Sequence, residues 1–176
     1  MPTLGINNFY NRIHPMKKNP IFSKILIALD FNPGAEFVAE AGFAVGKALK
    51  AEITLLHVLS DPVYYSTAEY SPIMGFTGFA DMDTWALDTN DALKKESLRF
   101  LEQSKDHLGD DSIQTLIKEG NFSKIILETA TEMKIDLIVI GSHSYSRLEE
   151  MILGNVTEEV LHTSKVPMLI IPSKEN

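Results

Sequence analysis

Lys134-Ile135-Asp136-Leu137-Ile138-Val139-Ile140-Gly141-Ser142-His143-Ser144 is the stretch on which the fold turns. Its apolar run has strand length and no alternation, as expected of a strand covered on both faces, and it ends in a polar, glycine-containing tail. Working back from it, Asn121 caps a helix whose Ile125, Ile126, Ala130 and Met133 face inward. Before that helix, Ser112–Ile117 alternates polar and apolar residues, as a half-covered or edge strand does. Working forward, a glycine-containing loop leads to a helix from about Asn155 to Ser164 and a last strand at Val166–Ile171.

The N-terminal half repeats the rhythm. Lys24–Asp30 is a strand, and Asn32-Pro33 supplies an N-cap and a first-turn proline. Ala35, Val38, Ala39, Gly42, Phe43, Gly46 and Leu49 then follow at helical spacing, with Gly42 and Gly46 permitting close approach to a sheet. Ile53–Leu59 is a second buried strand, and a helix from about Thr89 to His107 sets Leu93, Leu98, Leu101 and Leu108 inward. Five strands joined by helical crossovers predict an α/β fold: a single doubly wound domain with a five-stranded, mostly parallel sheet and helices on both faces. Residues 61–86 interrupt the pattern with Tyr64, Tyr65, Tyr70, Phe76, Phe79 and Trp85, and read as a lid or an interaction loop.

Bulk properties narrow the function. The 176 residues fit one domain (23–176) behind a basic N-terminal extension (1–22), which reads as a mobile arm. The absence of cysteine excludes a disulfide framework, a thiolate metal site and a cysteine nucleophile. No apolar run approaches a membrane span, and no signal-peptide core follows the basic leader, so a cytoplasmic protein without a membrane partner is expected. The net charge is −8, yet residues 1–24 carry four basic residues and no acid. The remainder therefore sets 12 basic against 24 acidic residues, a balance that repels a nucleic-acid backbone.

Ligands of open α/β sheets bind beyond the carboxyl ends of the strands, where the strand order reverses. Asp30, ending the first strand, and the loop after Gly141, ending the fourth, belong there. That loop closes on Gly154-Asn155-Val156-Thr157-Glu158, which opens a helix. Helix N-termini attract anions, so the arrangement suits phosphate. Asn155 with Glu158 three residues on is equally a self-capping pair, and the spacing leaves both readings open.

The strand-end Asp30, Leu56-His57-Val58 closing the second strand, Gly141-Ser142-His143 at the fourth strand end, and Gly154-Asn155-Val156-Thr157-Glu158-Glu159-Val160 resemble the universal stress protein family over residues 24–172. So does the closing Lys165-Val166-Pro167-Met168-Leu169-Ile170-Ile171. ATP-binding members of that family carry Gly, two residues, Gly, nine residues, Gly, then Ser or Thr. Here Gly141 and Gly154 match that spacing, whereas Ser144 replaces the middle glycine and Asn155 the Ser or Thr. The resemblance implies ATP, or AMP or ADP, with Mg²⁺ on the phosphates. Asp30 would contact the ribose, the Val58 backbone the adenine edge, and Gly141 would lie close to the ribose. Ser144, Gly154, Asn155 and Val156 would surround the phosphates, with His143 between them. It further implies a homodimer through Val166–Ile171.

Other chemistry lacks its signatures. There is no HExxH, Walker, dinucleotide-fold or GxSxG motif, and no serine-glycine-glycine loop after the first strand. The five histidines show no ligand spacing, and His57, within an apolar strand, reads as a core residue. No acid/base pair nominates itself, so no catalytic residue and no protein-held metal is assigned. The expected function is an adenine-nucleotide-dependent stress-response switch. Its alternatives are a nucleotide-free interaction module of the same fold and a slow ATP hydrolase.

Overall fold

The structure is a computed structural model that describes residues 22–31, 34–60, 90–142 and 153–172. Its strands are β1 (Lys24–Leu29), β2 (Glu52–Leu59), β3 (Gln114–Glu119), β4 (Leu137–Gly141) and β5 (Met168–Ile171). They alternate with helices α1 (Ala35–Leu49), α2 (Asn90–Leu108), α3 (Phe122–Glu132) and α4 (Asn155–Thr163). The sheet order is β3-β2-β1-β4-β5, and all four pairings are parallel. Most of the extension, the 61–86 segment and the Asn32-Pro33 cap lie outside the described residues.

Two apolar layers sandwich the sheet. On one face, Ile25, Ile27, Leu29, Leu55 and Val139 pack against Ala35, Val38 and Ala39 of α1 and Leu93, Phe100 and Leu101 of α2. On the other, Leu26, Leu56, Ile138 and Ile140 meet Ile126 and Ala130 of α3 and Val160 of α4. The chain moves outward from β1 to β3 over one face and returns through β4 to β5 over the other, so all four crossovers share one hand. The strand order therefore reverses between β1 and β4.

Gly42 and Gly46 sit where α1 presses on the sheet. A Cβ on Gly42 would lie 2.7 Å from Ile27 Cδ1 and 3.2 Å from Val139 Cγ1, and one on Gly46 would lie 2.5 Å from Ile53 Cδ1. The acid inside the apolar run at Ile135–Ile140 is also accounted for. Asp136 Oδ2 accepts hydrogen bonds from Ser23 N at 2.9 Å, Ser23 Oγ at 2.7 Å and Lys24 N at 3.0 Å, tying the entries of β1 and β4 together. These bonds, those from Ser23 foremost, hold its carboxyl below the usual range.

Four sequence expectations need correction. The inward face of α2 is Leu93, Ser97, Phe100, Leu101 and Ser104, while Leu98 is 51% exposed. The two serines hide their hydroxyls by donating to the Leu93 and Phe100 carbonyls of their own helix, which lets polar residues occupy core positions. The third strand begins at Gln114 rather than Ser112, because Asp110 accepts from Ser112 N and Oγ and folds residues 110–113 into a turn. α1 begins at Ala35 on the backbone of Gly34, without a side-chain cap. α4 is likewise capped by Gly154, which makes Asn155 its first helical residue rather than its cap.

Candidate functional site

The crevice between the carboxyl ends of β1 and β4 is where the doubly wound topology leaves room for a ligand. One lip is built by β1 and β2. Their ladder ends at the pair Leu29↔His57. β1 then exits through half-buried Asp30 and buried Phe31, whereas β2 continues through buried Val58 and Leu59 in register with Lys118 and Glu119 of β3. Asp30 and Val58 are thus the first residues beyond the point where the two strands separate.

A side chain holds that point. His57 is 1% exposed, and its Nδ1 lies 2.8 Å from the Leu29 carbonyl oxygen. A carbonyl only accepts, so Nδ1 carries the hydrogen and Nε2 is the bare nitrogen, which has no hydrogen-bond partner among the described residues. Burial pushes the imidazole below its ordinary range, against the opposing influence of the Leu29 bond and the Asp30 charge, and keeps the ring neutral. The ring packs on Phe31 with centroids 4.4 Å apart and on Phe100 at 5.6 Å. His57 is therefore a core residue, as expected, and one that reaches the site through the backbone.

The other lip is built by β4 and α4. Gly141 is buried at the end of β4, and Ser142 N donates to the Ile171 carbonyl of β5 at 2.8 Å. Gly154 N returns to the Ser142 carbonyl at 3.0 Å, so the two ends of the intervening loop meet in a closed neck. Thr157 Oγ1, itself buried, donates to the Gly141 carbonyl at 2.8 Å and fastens the first turn of α4 to the strand end. Asn155 is exposed, Val156 is half-buried against the second core, and no side chain caps the helix. The first N–H groups of a helix lack intrahelical partners, so an end without a side-chain cap is suited to an anion.

Of the residues expected in the site, Asp30, Val58, Gly141, Gly154, Asn155 and Val156 are thus placed on the two elements flanking the switch point, while His143 and Ser144 lie outside the described residues. Sequence reading missed the His57 and Thr157 clasps, because both act through carbonyls that no motif records. It also missed a histidine with two carboxylates. His107 Nε2 of α2 lies 2.9 Å from Glu40 Oε1 and 3.2 Å from Glu36 Oε1 of α1, all three close enough to share one ion. The group is largely exposed and its members pair with one another, as in an ordinary ion pair between helices. Its ligands come from separate helices, out of reach of a spacing rule.

Comparison with known proteins places these features. Residues 22–172 match the universal stress protein family. Universal stress protein YxiE of Bacillus subtilis is 30% identical over 154 residues, covering 86% of this chain and 99% of that protein. Universal stress protein MJ0577 of Methanocaldococcus jannaschii is 29% identical, covering 89% and 98%. The solved MJ0577 structure superposes with a TM-score of 0.63 at 27% identity, over 89% of this chain and 99% of that one. A universal stress protein crystallised in complex with cAMP shares the fold with a TM-score of 0.61 at 17% identity, over 87% and 98%.

Proposed function

The chain belongs to the universal stress protein family, and from that premise we propose that it is a stress-response protein that binds an adenine nucleotide, ATP first among them, at the crevice between β1 and β4. The observation that carries the reading is the convergence, on that one crevice, of Asp30 and Val58 from one lip and the Gly141–Gly154 neck with the uncapped start of α4 from the other. Asp30 offers a carboxylate that can accept from ribose hydroxyls, and the Val58 backbone offers amide groups to a base edge. Gly141 lets the ribose approach, and Gly154, Asn155 and Val156 present backbone N–H groups to phosphate, joined from the loop by His143 and Ser144. Mg²⁺ would ride on the phosphate oxygens, needing no dedicated protein carboxylate. That a protein of this fold holds cAMP supports an adenine nucleotide as ligand class.

Binding there would bias the 143–153 loop, whose two ends the nucleotide would contact. The chain then acts as a nucleotide-dependent switch in the cytoplasm rather than as a fast enzyme, the residues of the crevice supplying no evident general base. β5 is an edge strand with Met168, Leu169 and Ile170 half-buried, and an apolar edge of this kind favours pairing with a second copy through Val166–Ile171. Light scattering is expected to give twice the chain mass, with a monomer after Leu169→Lys; a wild-type monomer rejects the dimer.

One observation favours the nucleotide-free module instead. Asn155 and Ser144 stand where ATP-binding relatives have Ser or Thr and Gly. Nucleotide analysis of heat-released ligand from freshly purified protein separates the readings. Near-stoichiometric adenine nucleotide in wild type, absent from Gly154→Val, supports the switch. Ligand-free protein that stays so after incubation with millimolar ATP supports the module.

A further inference from the structure

The structure assigns His57 a positioning role at the adenosine end of the site: its hydrogen bond to the Leu29 carbonyl fixes how β1 and β2 part, and hence the spacing of Asp30 and Val58. The inference rests on the nucleotide reading above. In a parallel ladder each backbone carbonyl finds its partner on the neighbouring strand. Leu29↔His57 is the last β1–β2 pair, after which β1 turns away and β2 runs on beside β3. Leu29 is 4% exposed, and a buried carbonyl at a strand end needs a donor. The His57 ring supplies that donor at 2.8 Å from within β2 itself.

The two ends of this bond are Leu29 and His57, and the next residue along each strand is Asp30 or Val58. One bond therefore sets both lip residues at once. The ring is braced on its own side by Phe31, the residue after Asp30, and by Phe100 of α2, so the clasp is stiff. Burial keeps the imidazole neutral, which leaves Nδ1 as a plain donor and adds no charge beside Asp30. His57 acts through the backbone and touches neither the sugar nor the phosphates. Its effect belongs to the nucleoside and is indifferent to the length of the phosphate tail.

The test compares adenosine, AMP and Mg-ATP by calorimetry on wild type, His57→Leu, His57→Gln and His57→Asn. An Asn amide can stand where Nδ1 stands, whereas Gln offers its amide near the Nε2 position and Leu offers none. We expect Leu and Gln to weaken all three ligands by a common factor of about 10 or more, the scale of one lost or misplaced hydrogen bond set, and Asn to restore most of it. Backbone amide exchange of the nucleotide-free chain, followed at 29–31, should quicken in Leu and Gln and return in Asn. Wild-type affinity for AMP in His57→Gln, or a loss confined to ATP, overturns the positioning role. If wild type binds none of the three ligands, the nucleotide reading fails, and the inference about the ligand fails with it. The exchange data then decide the clasp alone: unchanged exchange at 29–31 refutes it.

Discussion

Thr157 illustrates how one hydroxyl can organise a site. Its bond to the Gly141 carbonyl joins the first turn of α4 to the end of β4, and both groups are buried. Thr157→Val keeps the shape and removes the donor, so the carbonyl is left without that partner. We expect a loss of about 1–2 kcal/mol in urea unfolding; an unchanged midpoint would mean that the bond is replaced by another. His57 supplies a pH signature. Its folded-state pKa lies below the ordinary 6.5, burial being the first cause. Above pH 6.5 both states are neutral and the full stability is present. As the pH falls below 6.5 the unfolded chain takes up a proton that the folded chain refuses, so stability declines. The slope between pH 6.5 and the folded pKa is at most about 1.4 kcal/mol per unit from this group, and His57→Asn should remove that share. Urea unfolding at pH 7, 6 and 5 checks it, and identical slopes in the two proteins would show that His57 is not buried and neutral.

At the scale of elements, α1 depends on two positions without side chains. Gly42→Val would drive a branched side chain into Ile27 and Val139 at the centre of the sheet, and about 2 kcal/mol or more of destabilisation is expected in chemical unfolding. A neutral result would mean that α1 can lift from β1 freely. Such positions were legible in advance, because glycines four places apart on an apolar helix face mark a surface that another element approaches closely. The β–α alternation and the parallel sheet were legible for a similar reason: continuous apolar runs of strand length, separated by helical periodicity, leave one architecture. What escaped was local. Leu98 counted as core by its composition, whereas the face of α2 follows Ser97 and Ser104, whose hydroxyls are satisfied within the helix. Asn155 looked like a cap, whereas the backbone of Gly154 takes that position. The clasps at Leu29 and Gly141 use carbonyl acceptors, which every residue possesses and no sequence pattern marks. The Glu36, Glu40 and His107 group joins two helices whose relative rotation no periodicity specifies.

For the whole molecule, the reversal of strand order between β1 and β4 does most to locate the function. It follows from connectivity alone, and it puts the Asp30 lip opposite the start of α4 without any single residue being decisive. The described residues include no helix long and apolar enough to cross a membrane. The chain as a whole carries a charge of −8, so an anionic ligand is drawn in against the global field and must be held by local N–H groups and its own Mg²⁺. Mg-ATP should therefore bind more tightly than ATP in chelator, and more tightly than AMP. The most direct measurement is a calorimetric titration of the nucleotide-stripped full chain with Mg-ATP, with AMP as comparison and Gly154→Val as control. We predict micromolar, one-to-one binding of Mg-ATP, weaker binding of AMP, and loss of the ATP advantage in Gly154→Val. No heat at millimolar Mg-ATP would contradict a nucleotide switch and leave a nucleotide-free interaction module.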